Sequence, residues 1–169
     1  MKYIIALAVA LTVCSTARAD EPLLSYVVTY PGGTVTVETD GRVDTVAIKR
    51  SGGTETETST CGNYTGNYEQ LVGFARAFQA MLAYPESLAT MADYPIRVNL
   101  SPRKVLKLTT AKALVSHYQQ IFTPEVLARL KQSNAHEIFC HEGSAMIAAG
   151  TVWSGVNRDG EVKFSVINQ

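Results

Sequence analysis

The segment Tyr94-Pro95-Ile96-Arg97-Val98-Asn99-Leu100 decides the fold class. Ile96, Val98 and Leu100 alternate with Arg97 and Asn99, the two-residue period of a strand with one buried face. Tyr94-Pro95 forces extended backbone at its start, and Ser101-Pro102-Arg103 is turn chemistry at its end. Helical sequence lies on both sides. Upstream, Asn67 followed by Gln70 is an N-cap with its capping-box partner, and Leu71, Phe74, Phe78, Met81 and Leu82 share one helical face. Pro85-Glu86 starts a short second helix with Leu88 and Met91 inward. Downstream, Thr110 caps a helix whose inner face carries Leu114, Tyr118, Ile121 and Phe122. Thr123-Pro124-Glu125 opens another, burying Val126, Leu127 and Leu130. Three strands close the chain: His136 to Cys140, Ser144 to Ser154 and, after the turn Asn157-Arg158-Asp159-Gly160, Glu161 to Ile167. Residues 67–169 thus read as one α+β unit.

The preceding residues read differently. Residues 20–50 form a β-meander: Leu23 to Tyr30, then Thr34 to Glu38, then Val43 to Lys49, separated by Pro31-Gly32-Gly33 and Thr39-Asp40-Gly41-Arg42. Residues 51–66 are Gly, Ser, Thr, Asn and Glu with almost no apolar content, and read as a linker or long loop. Residues 1–19 have the build of a signal peptide. Met1-Lys2 is a basic start, Ile4 to Val13 an apolar run too short for a permanent anchor, and Ala17-Arg18-Ala19 a small-x-small cleavage pattern. The expected product is exported, periplasmic or secreted, after cleavage near Ala19-Asp20, with no transmembrane segment. The chain of 169 residues carries 15 basic and 15 acidic side chains. Removal of Lys2 and Arg18 with the leader leaves 13 against 15, a net charge of about −2 with no charge block, which argues against a nucleic-acid partner.

Cys14 falls inside the leader. Cys61 and Cys140 then remain, and two cysteines in an exported protein read as one disulfide. It would close a loop of about 80 residues, worth on the order of 4 kcal/mol in the chain-entropy model. The competing readings use Cys140 as a reactive thiol beside His141, or as a metal ligand with His136. The cluster His136-Glu137-Ile138-Phe139-Cys140-His141-Glu142 spaces its histidines five apart, where a zinc-protease helix needs four. No metal and no cofactor is expected. No Ser-centred elbow, phosphate loop or paired-carboxylate spacing occurs, and His117 has no identifiable carboxylate partner, so no catalytic residue is assigned.

The candidate ligand- or partner-binding residues are Arg97, Trp153, Tyr118 and His141. Arg97 interrupts an apolar strand and must reach water, an acid or a ligand, because burying it unpaired is costly. Trp153 follows the small residues Ala145, Ala148, Ala149 and Gly150, which leave room for a guest. Tyr118 neighbours His117 on a helix, and His141 sits in the polar cluster. Tyr64, Tyr68, Tyr84 and Tyr94 gather around the linker and first helix, where they could form a rim or simply pack.

The order amphipathic helix, short helix, strand, two helices and hairpin series resembles the NTF2-like (SnoaL-like, cystatin-related) α+β superfamily. The resemblance is carried by Phe74 to Met81, Tyr94-Pro95-Ile96-Arg97-Val98-Asn99, Tyr118-Gln119-Gln120-Ile121-Phe122-Thr123-Pro124, Ala149-Gly150-Thr151-Val152-Trp153 and Val166-Ile167-Asn168. It covers roughly the last 100 residues. It implies a curved antiparallel sheet wrapped on a long helix around an apolar cone, used by some members for catalysis and by others for binding. The expectation is a non-catalytic exported binder of a protein or small hydrophobic ligand. The alternatives are an inhibitor or immunity protein against a cell-wall hydrolase or toxin, and an enzyme acting on a small hydrophobic substrate in the cone.

Overall fold

The computed structural model describes residues 23–169; the signal-peptide reading of residues 1–19 lies outside them. The chain begins with an antiparallel meander of β1 (Leu24–Tyr30), β2 (Gly33–Thr39), β3 (Val43–Arg50) and β4 (Thr56–Gly62), in that spatial order. Helices α1 (Tyr68–Met81) and α2 (Pro85–Ala89) follow, then the hairpin β5 (Ala92–Ser101) and β6 (Lys104–Leu108). Three short helices, α3 (Ala111–Ser116), α4 (Tyr118–Ile121) and α5 (Pro124–Gln132), carry the chain across to β7 (Phe139–His141), β8 (Ser144–Ile147), β9 (Val152–Val156) and β10 (Val162–Asn168). The second sheet has the order β6-β5-β10-β9-β8-β7.

Six expectations need correction. The single helix after Thr110 is α3 and α4, interrupted at His117, and the first closing strand is Phe139–His141, not His136 to Cys140. Residues 51–66 are not a linker: β4 occupies much of them and pairs with β3 from Val43↔Gly62 to Lys49↔Thr56. Its inward positions hold Ser59 and Cys61 instead of aliphatic residues, so it has no apolar alternation to read, although threonine suits a strand. β6 was not anticipated after the Ser101-Pro102-Arg103 turn. The single strand Ser144–Ser154 is two strands, broken at Ala148-Ala149-Gly150, all at positive φ (52°, 51° and 84°). The Thr151 N–H donates to the Ala148 carbonyl at 3.1 Å and closes this turn. Ala149 and Gly150 supply the two left-handed residues that match a hairpin's twist. Finally, the second sheet is mixed, not wholly antiparallel. β10 runs antiparallel to β9 but parallel to β5, because the chain leaves after β6, returns at the far edge and winds back to the centre.

Both sheets and the helices share one buried cluster. Val35, Val37, Val46 and Ile48 come from the meander, Leu71, Ala75 and Phe78 from α1, and Ile96, Val98, Val152, Phe164 and Ile167 from the second sheet. Phe78 meets Phe164 edge-on, with ring centroids 5.3 Å apart, a favoured aromatic geometry. α1 is held to the meander at its N-terminus, where the Tyr68 N–H donates to Asp44 Oδ2 at 2.6 Å. A disulfide between Cys61 and Cys140, with Cα atoms 5.3 Å apart, joins β4 to β7. Beside it the Cys140 N–H donates to Ser59 Oγ at 3.1 Å, and Arg50 bridges Glu57 at 2.9 Å and Glu137 at 3.2 Å.

Candidate functional site

Side chains alternate across a sheet. Since Ile96, Val98, Ile167 and Val152 fill the helix-packed face of the second sheet, their neighbours face the other way. The strand registers align those neighbours into one row: Lys107 opposite Arg97, Arg97 opposite Val166, Val166 opposite Trp153, Trp153 opposite Met146, and Met146 opposite Phe139. The row crosses all six strands, about 24 Å at the usual interstrand spacing. Arg97 and Lys107 are exposed; Val166, Trp153, Met146 and Phe139 are partly so. The row is therefore cationic at one end and apolar and aromatic over the rest.

Arg97 and Trp153, two of the candidates read from sequence, are brought onto this one face with Val166 between them. Arg97 makes no ion pair with Glu137 or Glu161, which bridge Arg50 and Lys163 respectively. Its Nε donates to Asn99 Oδ1 at 2.8 Å, and Asn99 Nδ2 donates to Asn168 Oδ1 at 2.7 Å. This chain fixes the guanidinium plane and leaves its terminal nitrogens for a partner, the fork that suits carboxylates and phosphates. Next to it, Pro95, Ile96, Arg97, Val105 and Lys107 line a shallow hollow of about 300 Å³.

His141 lies on the same outer face, two residues beyond Phe139, but at the exposed β7–β8 turn, 3.7 Å from Glu142. It is peripheral to the row. Tyr118 is not on this face at all. It stacks on Phe122 with centroids 4.7 Å apart, and its hydroxyl donates to the Leu82 carbonyl, which ties α4 to the end of α1. Burial raises its pKa. Of the four tyrosines, Tyr68 is core and Tyr94 donates to the Ala89 carbonyl at 3.0 Å, while Tyr64 and Tyr84 are exposed.

The histidines offered for other chemistry are engaged elsewhere. His117 Nδ1 lies 2.9 Å from the Ala113 carbonyl of its own helix. His136 sits between Tyr68 Oη at 3.2 Å and Arg76 Nη2 at 2.8 Å. Cys140, its proposed co-ligand for a metal, is in the disulfide. Among the described residues no three His, Cys, Asp or Glu side chains converge as a metal site, and no helix is long and apolar enough to cross a membrane.

Sequence reading did not single out Phe139, Met146, Val166 and Lys107. One signal was available for Phe139. If Cys140 must face inward to form the disulfide, its strand neighbour must face outward. The other three emerge only from the register.

Comparison of the chain with protein-family models, with curated proteins and with solved structures finds no match.

Proposed function

We propose that this chain is an exported, non-catalytic binding protein that recognises a protein or small amphipathic ligand through the outer face of its second sheet. The observation that carries the reading is the row Arg97, Val166, Trp153, Met146, Phe139, which sets an oriented guanidinium at the end of a partly exposed apolar strip. A Trp–Arg pairing on one face is the composition that dominates binding hot spots. Export is supported by a buried disulfide, which persists in oxidising compartments, together with the leader-like residues 1–19. A non-catalytic role is supported by the engagement of His117, His136 and Cys140 in structural contacts. The NTF2-like reading of residues 67–169 rests on the order helix, helix, strand, helices and hairpins. The finer cone geometry is part of this proposal.

The test is capture from the exported fraction with wild-type, Arg97→Ala and Trp153→Ala proteins as bait. Each substitution is expected to leave circular dichroism unchanged and to weaken a retained partner roughly 30-fold or more, the effect of losing about 2 kcal/mol at a hot spot. Retention unaffected by either change would place the site elsewhere.

A further inference from the structure

We propose that the β5–β6 hairpin forms a docking surface for an anionic lipid bilayer. The motivating feature is a charge asymmetry within a chain of zero formal net charge. Between Asp93, at the start of β5 and far from the hairpin turn, and Glu125 there is no acidic residue, while Arg97, Arg103, Lys104, Lys107 and Lys112 all fall in that stretch. The cations form no long run: apart from adjacent Arg103 and Lys104, uncharged residues separate them. The fold places four of them on one hairpin: β5 and β6 are paired, Arg97 stands opposite Lys107, and Arg103 and Lys104 sit at the hairpin turn. All five are exposed, and among the described residues none of them makes an ion pair, the pairs present being those of Arg50, His141 and Lys163.

The second feature is apolar. Val105 lies between Lys104 and Lys107 on the same edge strand and is 51% exposed. With Pro95 and Ile96 it lines the hollow flanked by Arg97 and Lys107. An edge strand is commonly guarded by lysine against pairing with another sheet, and Lys104 and Lys107 serve that end too. Guarding requires neither the loss of every acid over this stretch nor an exposed aliphatic residue among the lysines. For a soluble polyanion, Val105 is a gap in the footprint. For a bilayer it is a point of insertion between Arg97 and Lys107, which share its face and can meet headgroup phosphates. Each cation adds attraction within a Debye length of an anionic surface, so a local patch acts even though the whole protein is near neutral. An exported protein meets such a surface in its own compartment. Arg97 and Lys107 belong to both surfaces, but Trp153 lies outside the hairpin and Lys104 outside the row, so variants at those two positions let this inference and the partner-binding reading fail separately.

The oxidised protein should be mixed with vesicles of phosphatidylcholine, alone or with about one third phosphatidylglycerol, and sedimented. Binding is expected to be at least about tenfold tighter to the mixed vesicles and to fall as salt is raised. The double variant Lys104→Glu/Lys107→Glu should lose that preference, with a thermal melt confirming its fold. Val105→Gln should weaken vesicle binding several-fold yet leave retention on immobilised heparin unchanged, while Trp153→Ala should bind vesicles like wild type. Equal binding of the wild type to both vesicle types would overturn the proposal without recourse to any variant. So would a folded double variant that keeps the preference. Val105→Gln indistinguishable from wild type on vesicles would reassign the surface to a soluble polyanion and overturn the lipid assignment.

Discussion

His136 shows how the partners of one side chain fix its charge. Arg76 is always protonated and can only donate, so the nitrogen 2.8 Å from it, His136 Nε2, must carry a lone pair. Nδ1 then holds the ring proton and donates to Tyr68 Oη, whose own hydrogen goes to the His136 carbonyl at 3.1 Å. The network is complete only when the imidazole is neutral. Burial, and then the Arg76 charge, accordingly push the His136 pKa below its ordinary value, against a smaller opposing effect of Glu69. The direction sets the pH dependence. Between the lowered native value and the ordinary one near 6.5, the unfolded chain binds a proton that the native protein does not. This contribution is therefore fully present above about pH 6.5 and is lost as pH falls through 6.5 towards the native value. Urea midpoints measured from pH 7.5 to 5 are expected to fall for wild type. His136→Gln should be less stable at pH 7 by about 1 kcal/mol, one hydrogen bond's worth, but should show a shallower fall. Parallel curves would mean that His136 does not titrate differently in the two states.

At the scale of elements, the helix starts were legible and several strands were not, for one reason. A helix start is written locally: Asn67 accepts from the Gln70 N–H at 2.9 Å while its own N–H donates to Gln70 Oε1 at 3.1 Å. Four residues of sequence, 67–70, contain that whole interaction. Asn67→Ala is expected to cost about 1 kcal/mol by chemical denaturation. Thr123→Ala should cost less, since the Thr123 hydroxyl reaches the Val126 N–H only at 3.4 Å. The reverse ranking would show that these caps do not set helix stability here. Strands depend on partners distant in sequence. β4 offers Thr, Glu and Ser, and becomes a strand because β3 presents a free edge to it. The β8–β9 turn uses Ala-Ala-Gly where a readable hairpin would use Asn-Gly, so it reads as continuous strand. The candidate site was half legible for the same reason. Alternation along β5 turns Arg97 away from the core, but its alignment with Trp153 depends on β10 entering between them, parallel to one neighbour and antiparallel to the other.

Over the whole molecule, the covalent link between Cys61 and Cys140 is the contact whose removal tests most of the architecture. The two residues are 79 apart in sequence, and the loop they close contains helices α1 to α5 and the β5–β6 hairpin. Fixing its ends removes unfolded-state entropy worth about 4 kcal/mol on the chain-entropy model, a large share of the 5–15 kcal/mol or so that holds a typical domain together. The link also stands where the meander meets the second sheet. Other contacts there are the Ser59 hydrogen bond and the Arg50–Glu137 pair, the second of them solvent-facing and worth little. Cys61 is 1% and Cys140 5% exposed, so a reductant reaches the sulfurs only when the structure opens. Three outcomes are expected. Native oxidised protein should resist both alkylation and mild reduction. The Cys61→Ser/Cys140→Ser variant should lose about 2–5 kcal/mol in denaturant titration. Hydrogen exchange in that variant should rise first in β1 to β4, whose buried aliphatic residues Val35, Val37, Val46 and Ile48 are few and sit on β2 and β3. Exchange rising uniformly through both sheets would show that the meander and the helical unit open together, the shared core binding them without the disulfide. A loss below about 1 kcal/mol would show that the chain-entropy contribution is offset by structure persisting in the unfolded state.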